Sequence, residues 1–69
     1  MIWKEKDFQR FAAEKYAEKY GKPYIPSEAL ARNYIYRACK IELASELENI
    51  EHSKIFKELM KKYQQWSEK

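Results

Sequence analysis

The chain has no valine, no threonine and one glycine, Gly21, in 69 residues. Strands favour β-branched side chains, and small sheets need tight turns built from Gly, Asn or Asp. A β-sheet domain is therefore excluded on composition, and so is a glycine-rich phosphate-binding loop. Cys39 is the only cysteine, which rules out an internal disulfide and a cysteine-based metal cluster. His52 is the only histidine, and a lone imidazole without thiolates or further histidines makes no zinc site. No apolar run approaches the ~18–20 residues of a membrane span. The opening MIWKEKD also lacks the apolar stretch of a signal peptide. A reducing, cytoplasmic setting is expected, a host cytoplasm if the chain is of phage or plasmid origin.

Ala, Glu, Lys and Leu are abundant instead, and these favour helix. The expected fold is all-α, a small three-helix bundle forming one domain over residues 1–69. A chain this short buries only about 60% of its unfolded surface, so a dimer or a partner that completes the core is in keeping with its size. The net charge of +3 conceals a pattern. Residues 1–40 carry nine Lys/Arg against five acids, residues 41–51 four Glu and no base, and residues 52–69 five Lys against two Glu. Two basic segments flank an acidic one.

The first helix is expected over about 4–20. Phe8, Phe11, Ala12, Tyr16 and Tyr20 recur at helical spacing, and Gly21 ends the helix in a left-handed turn. The connector holds both prolines, Pro23 and Pro26. Each pushes the residue before it toward extended backbone, and at least one of Tyr24 and Ile25 should pack inward. Ser27 caps the second helix, expected over about 27–50. Its apolar side shifts along its length, from Leu30, Ala31, Tyr34, Ala38 and Ile41, with Ile35 beside them, to Cys39, Leu43, Leu47 and Ile50. Either one continuous helix faces two neighbours, or the helix breaks within residues 40–45. The absence of Gly and Pro there favours continuity. Ser53 caps the third helix, expected over about 53–67, with Ile55, Phe56, Leu59, Met60, Tyr63 and Trp66 as its apolar stripe. The expected core is Phe8, Phe11, Ala12, Tyr16, Leu30, Tyr34, Ile41, Leu59 and Tyr63.

No nucleophile, acid–base pair or metal set stands out, so no enzymatic activity and no cofactor is expected. Glu42, Glu46, Glu48 and Glu51 read as a solvated acidic face. The candidate site is on the second helix. At ~100° per residue, Ala29, Arg32, Asn33, Tyr36, Arg37 and Lys40 share one side, with no acid from Ala29 to Ile41. Those groups suit phosphates and the base edges of a major groove, and Lys22 is placed to add a backbone contact.

The run AEKYAEKYG over residues 13–21 is similar to the first helix of a helix-turn-helix, with Pro26 and Ser27 opening the recognition helix. The connector is longer than the 3–4-residue turn of that motif. The expected function is a non-enzymatic binder, a DNA-binding regulator or accessory factor. The alternative is a protein interaction module, an adaptor or inhibitor whose same Tyr/Arg surface meets an acidic protein surface. Leu43, Leu47 and Ile50 form the expected seam for a homodimer or partner.

Overall fold

The computed structural model describes residues 1–41 and 53–68. The chain is all-helical, as expected, and no strand occurs among the described residues. A short 3-10 turn at Ile2–Lys4 precedes α1 (Lys6–Tyr20), α2 (Glu28–Ala38) and α3 (Lys54–Ser67). Backbone contacts divide the chain into two compact units, Met1–Tyr34 and Ile35–Lys69.

Short-range chemistry sets the helix ends. Gly21 has φ 71° and donates its N–H to the Ala17 carbonyl at 2.8 Å, ending α1. A Cβ there would meet nothing within 4 Å, so the requirement for glycine is conformational rather than steric crowding. Ser27 caps α2, its Oγ accepting the Leu30 N–H at 3.0 Å. Ser53 does the same for α3, with the Phe56 N–H at 3.4 Å. Each serine satisfies one of the orphan donors of a first turn.

The first helix begins later than expected, at Lys6 rather than Lys4, because residues 2–4 form a separate 3-10 turn. That turn is tied to α1 by the Gln9 side chain, whose Nε2 donates to the Trp3 carbonyl at 3.0 Å. Trp3 itself is buried.

The second helix corrects the expectation of a continuous span over 27–50: it ends at Ala38. Lys40 lies in the left-handed region at φ 56°. The Ile41 N–H reaches the Tyr36 carbonyl at 2.9 Å, and the Lys40 N–H reaches the Arg37 carbonyl at 3.4 Å. This pair of bonds is a Schellman motif, which normally places glycine where Lys40 stands. The sequence signal was missed because a lysine occupies the left-handed position. A Cβ there costs roughly 1–2 kcal/mol. Lys40→Gly is expected to stabilise the domain by about 0.5–1 kcal/mol, and Lys40→Ala, which keeps the Cβ, to give no such gain. Thermal melts of the two variants check this, since 1 kcal/mol moves the midpoint of a domain this size by about 4–8 °C.

The unit Met1–Tyr34 is built around aromatic rings. Phe8 and Phe11 lie 5.8 Å apart, and Tyr34 from α2 sits 6.4 and 5.8 Å from them. Tyr16 continues the cluster, meeting Tyr34 edge-on at 5.7 Å, stacking on Tyr20 at 5.9 Å and touching Tyr24 at 5.5 Å. Edge and offset geometries of this kind are the favourable ones for aromatic quadrupoles. Of the expected core, Phe8, Phe11, Ala12, Tyr16 and Leu59 are buried. Leu30, Tyr34, Ile41 and Tyr63 are only half-buried, while Trp3, Ala13, Ala31, Ile35 and Phe56 are buried in addition. In the unit Ile35–Lys69, α3 buries Phe56 and Leu59, stacks Tyr63 on Trp66 at 6.3 Å and exposes Lys54, Lys57, Lys61 and Lys62.

Candidate functional site

The outward side of α2 carries most of the expected groups. Ala29, Arg32, Asn33 and Arg37 are exposed, Tyr36 is half-buried, and Lys40 is exposed in the turn that follows. Glu28 in the first turn is the last carboxylate before this stretch, which contains none through Ile41. With α2 ending at Ala38, Lys40 leaves the helical register, and its direction is set by the left-handed turn.

Asn33 has a structural task that its sequence context did not reveal. Its Oδ1 accepts the Tyr16 hydroxyl proton at 2.7 Å, across 17 residues of chain. Tyr16 is almost fully buried, and its hydroxyl needs an acceptor at the edge of the aromatic cluster. The bond occupies one of the two lone pairs of the amide oxygen, holds the amide in place and does not use its N–H donors. Asn pairs with adenine by using both ends of the amide, so Asn33 is better suited to donating to a phosphate or a purine acceptor than to bidentate adenine recognition. A double-mutant cycle with Tyr16→Phe and Asn33→Ala is expected to give a coupling of about 0.5–1.5 kcal/mol in urea denaturation. A coupling indistinguishable from zero would show that the pair is not formed in solution.

Lys22 lies on the connector rather than on α2. It is exposed, with its Nζ 5.8 Å from the Tyr24 ring centroid. Cys39 is half-buried just past α2, and burial pushes its thiol above the usual range. That leaves little thiolate near neutral pH and argues against a reactive role. The expected seam residues Leu43, Leu47 and Ile50, together with His52 and the glutamates at 42, 46, 48 and 51, lie outside the described residues. Among the described residues no group of three or more His, Cys, Asp or Glu side chains is placed to hold a metal ion. No helix among them is long and apolar enough to cross a membrane.

The connector decides what residue types left open. Tyr24 packs inward, as at least one of the pair was expected to do, while Ile25 beside it is 87% exposed. The pre-proline positions gave the connector's course, but nothing local distinguished which of the two side chains would turn in.

Comparison with protein-family models, with curated proteins and with solved structures finds no match to this chain. The functional reading therefore rests on the residues themselves.

Proposed function

We propose that this is a small non-enzymatic binding protein that contacts duplex DNA through the exposed side of α2, as a regulator or accessory factor in a reducing cytoplasm. One observation carries the reading. Arg32, Arg37 and Lys40 are all exposed on a stretch that contains no carboxylate from Ala29 to Ile41. The three cations serve as phosphate contacts, Asn33 as an amide donor held in place by Tyr16, and Tyr36 packs against sugar. Contacts of this kind position a protein on the duplex and carry no sequence information directly.

The test is a mobility shift against mixed duplex DNA at low salt. Three phosphate contacts predict a salt slope of about −2.7, hence roughly a 40-fold loss of affinity between ~50 and ~200 mM salt. Arg32→Ala/Arg37→Ala removes two of the three, so affinity falls at low salt and the slope shrinks to about −1. Wild-type protein that shifts no duplex at micromolar concentration refutes the reading.

A second reading is an adaptor or inhibitor that binds another protein. It is favoured by the exposed Ile25, an aliphatic side chain that offers nothing to a phosphate.

A further inference from the structure

Tyr16 is held within the aromatic cluster by rings from three parts of the chain. Tyr34 of α2 meets it edge-on at 5.7 Å, Tyr20 of α1 stacks on it at 5.9 Å, and Tyr24 of the connector lies 5.5 Å away. Only 6% of the residue is exposed. A ring packed this way has one place for its hydroxyl, and there the hydroxyl donates to Asn33 Oδ1 at 2.7 Å. Both residues belong to the unit Met1–Tyr34, so the contact lies inside one compact body.

Asn33 is itself exposed. Helical spacing puts Ala29, Tyr36 and Arg37 within one turn of it on the same side of α2, with Arg32 just before it. The one carboxylate of α2, Glu28, is five residues earlier and on a different side of the helix. An exposed side chain ordinarily samples several rotamers, and ordering it costs free energy when a ligand binds. Here a buried hydroxyl orders it beforehand. The oxygen branch of the planar amide is turned to Tyr16, and the nitrogen branch carries two N–H donors that this bond does not use. An aspartate at position 33 would also accept the hydroxyl proton, so the donors are what separates a binding role from a merely structural one.

We propose that Tyr16 is a positioning residue for the α2 face. Without touching the ligand, it sets the Asn33 amide so that its N–H donors meet an acceptor atom on duplex DNA. This rests on the DNA-binding reading of α2 and extends it into the core, because a buried group on α1 then sets the affinity of an exposed side of α2.

The full chain and its variants are titrated with mixed duplex DNA at low salt. Tyr16→Phe removes the hydroxyl and keeps the ring. It is expected to weaken binding by about 3–10-fold, the range of one hydrogen bond. It removes no cation, so the salt slope should stay at about −2.7. Asn33→Ala should weaken binding at least as much, and adding Tyr16→Phe to Asn33→Ala should weaken it no further. Asn33→Asp keeps an acceptor for Tyr16 and loses the donors. It should melt at the wild-type temperature and bind more weakly than Asn33→Ala. Tyr16→Phe that binds as tightly as wild type overturns the proposal. So does a loss of equal size in the Asn33→Ala background, since Tyr16 would then act through the fold and not through the amide. Asn33→Asp that binds like wild type overturns it as well, whatever the stability of Tyr16→Phe. In each of these cases the DNA-binding reading stands if Arg32→Ala/Arg37→Ala still loses the duplex. Wild-type protein that shifts no duplex refutes both.

Discussion

Phe11→Ala is expected to cost about 3–5 kcal/mol of folding stability. Phe11 is fully buried and meets Phe8 at 5.8 Å and Tyr34 edge-on at 5.8 Å. Removing the ring forfeits its transfer free energy, leaves a cavity among side chains that relax only partly, and breaks two aromatic contacts. A domain of this length has a total stability of roughly 3–10 kcal/mol, at about 0.05–0.15 kcal/mol per residue, so the variant loses a large fraction of it. Urea denaturation followed by far-UV circular dichroism measures it. Phe11→Leu, which keeps most of the volume, should retain a cooperative transition at lower urea. A loss below ~1 kcal/mol for Phe11→Ala would mean that the ring is not at the centre of the fold.

Ile35→Ala should follow at about 2–5 kcal/mol, and Ile35→Val at about 0.5–1.5 kcal/mol. Ile35 is fully buried on α2. Ile25, ten residues earlier, is 87% exposed, and its replacement by serine should leave the melting temperature unchanged. The same residue type thus has opposite consequences at two positions, because only Ile35 exchanges water for protein on folding. Comparable melting shifts for the two variants would contradict the burial of Ile35.

The candidate face on α2 was readable because helical spacing maps directly onto exposure. Arg32, Asn33 and Arg37 project outward while Ala31 and Ile35 are buried, as a period of 3.6 residues requires. The extent of the face was not readable. The sequence favoured continuity beyond Ala38 because neither Gly nor Pro interrupts it. Lys40 nevertheless takes a left-handed conformation, held by two backbone bonds to carbonyls of the last turn. Local preference disfavours that conformation for lysine, so residue types favoured continuity over the alternative of a break within residues 40–45.

The task of Asn33 was hidden for a different reason. On helical spacing the residue is one more polar group on an exposed face. Its bond to Tyr16 depends on α1 and the first half of α2 coming together across the connector.

The sequence by itself determined the helical class, the stop at Gly21 and the starts after Ser27 and Ser53. Each depends on the conformational range of one residue or on a hydrogen bond spanning three or four residues. Only the tertiary structure decided that Tyr24 turns inward while Ile25 stays in water, that Ile35 is fully buried while Tyr34 is half-covered, and that the Asn33 oxygen serves Tyr16. Burial and pairing of this kind are set by which distant groups arrive beside a side chain, and residue type and spacing leave several such outcomes close in free energy.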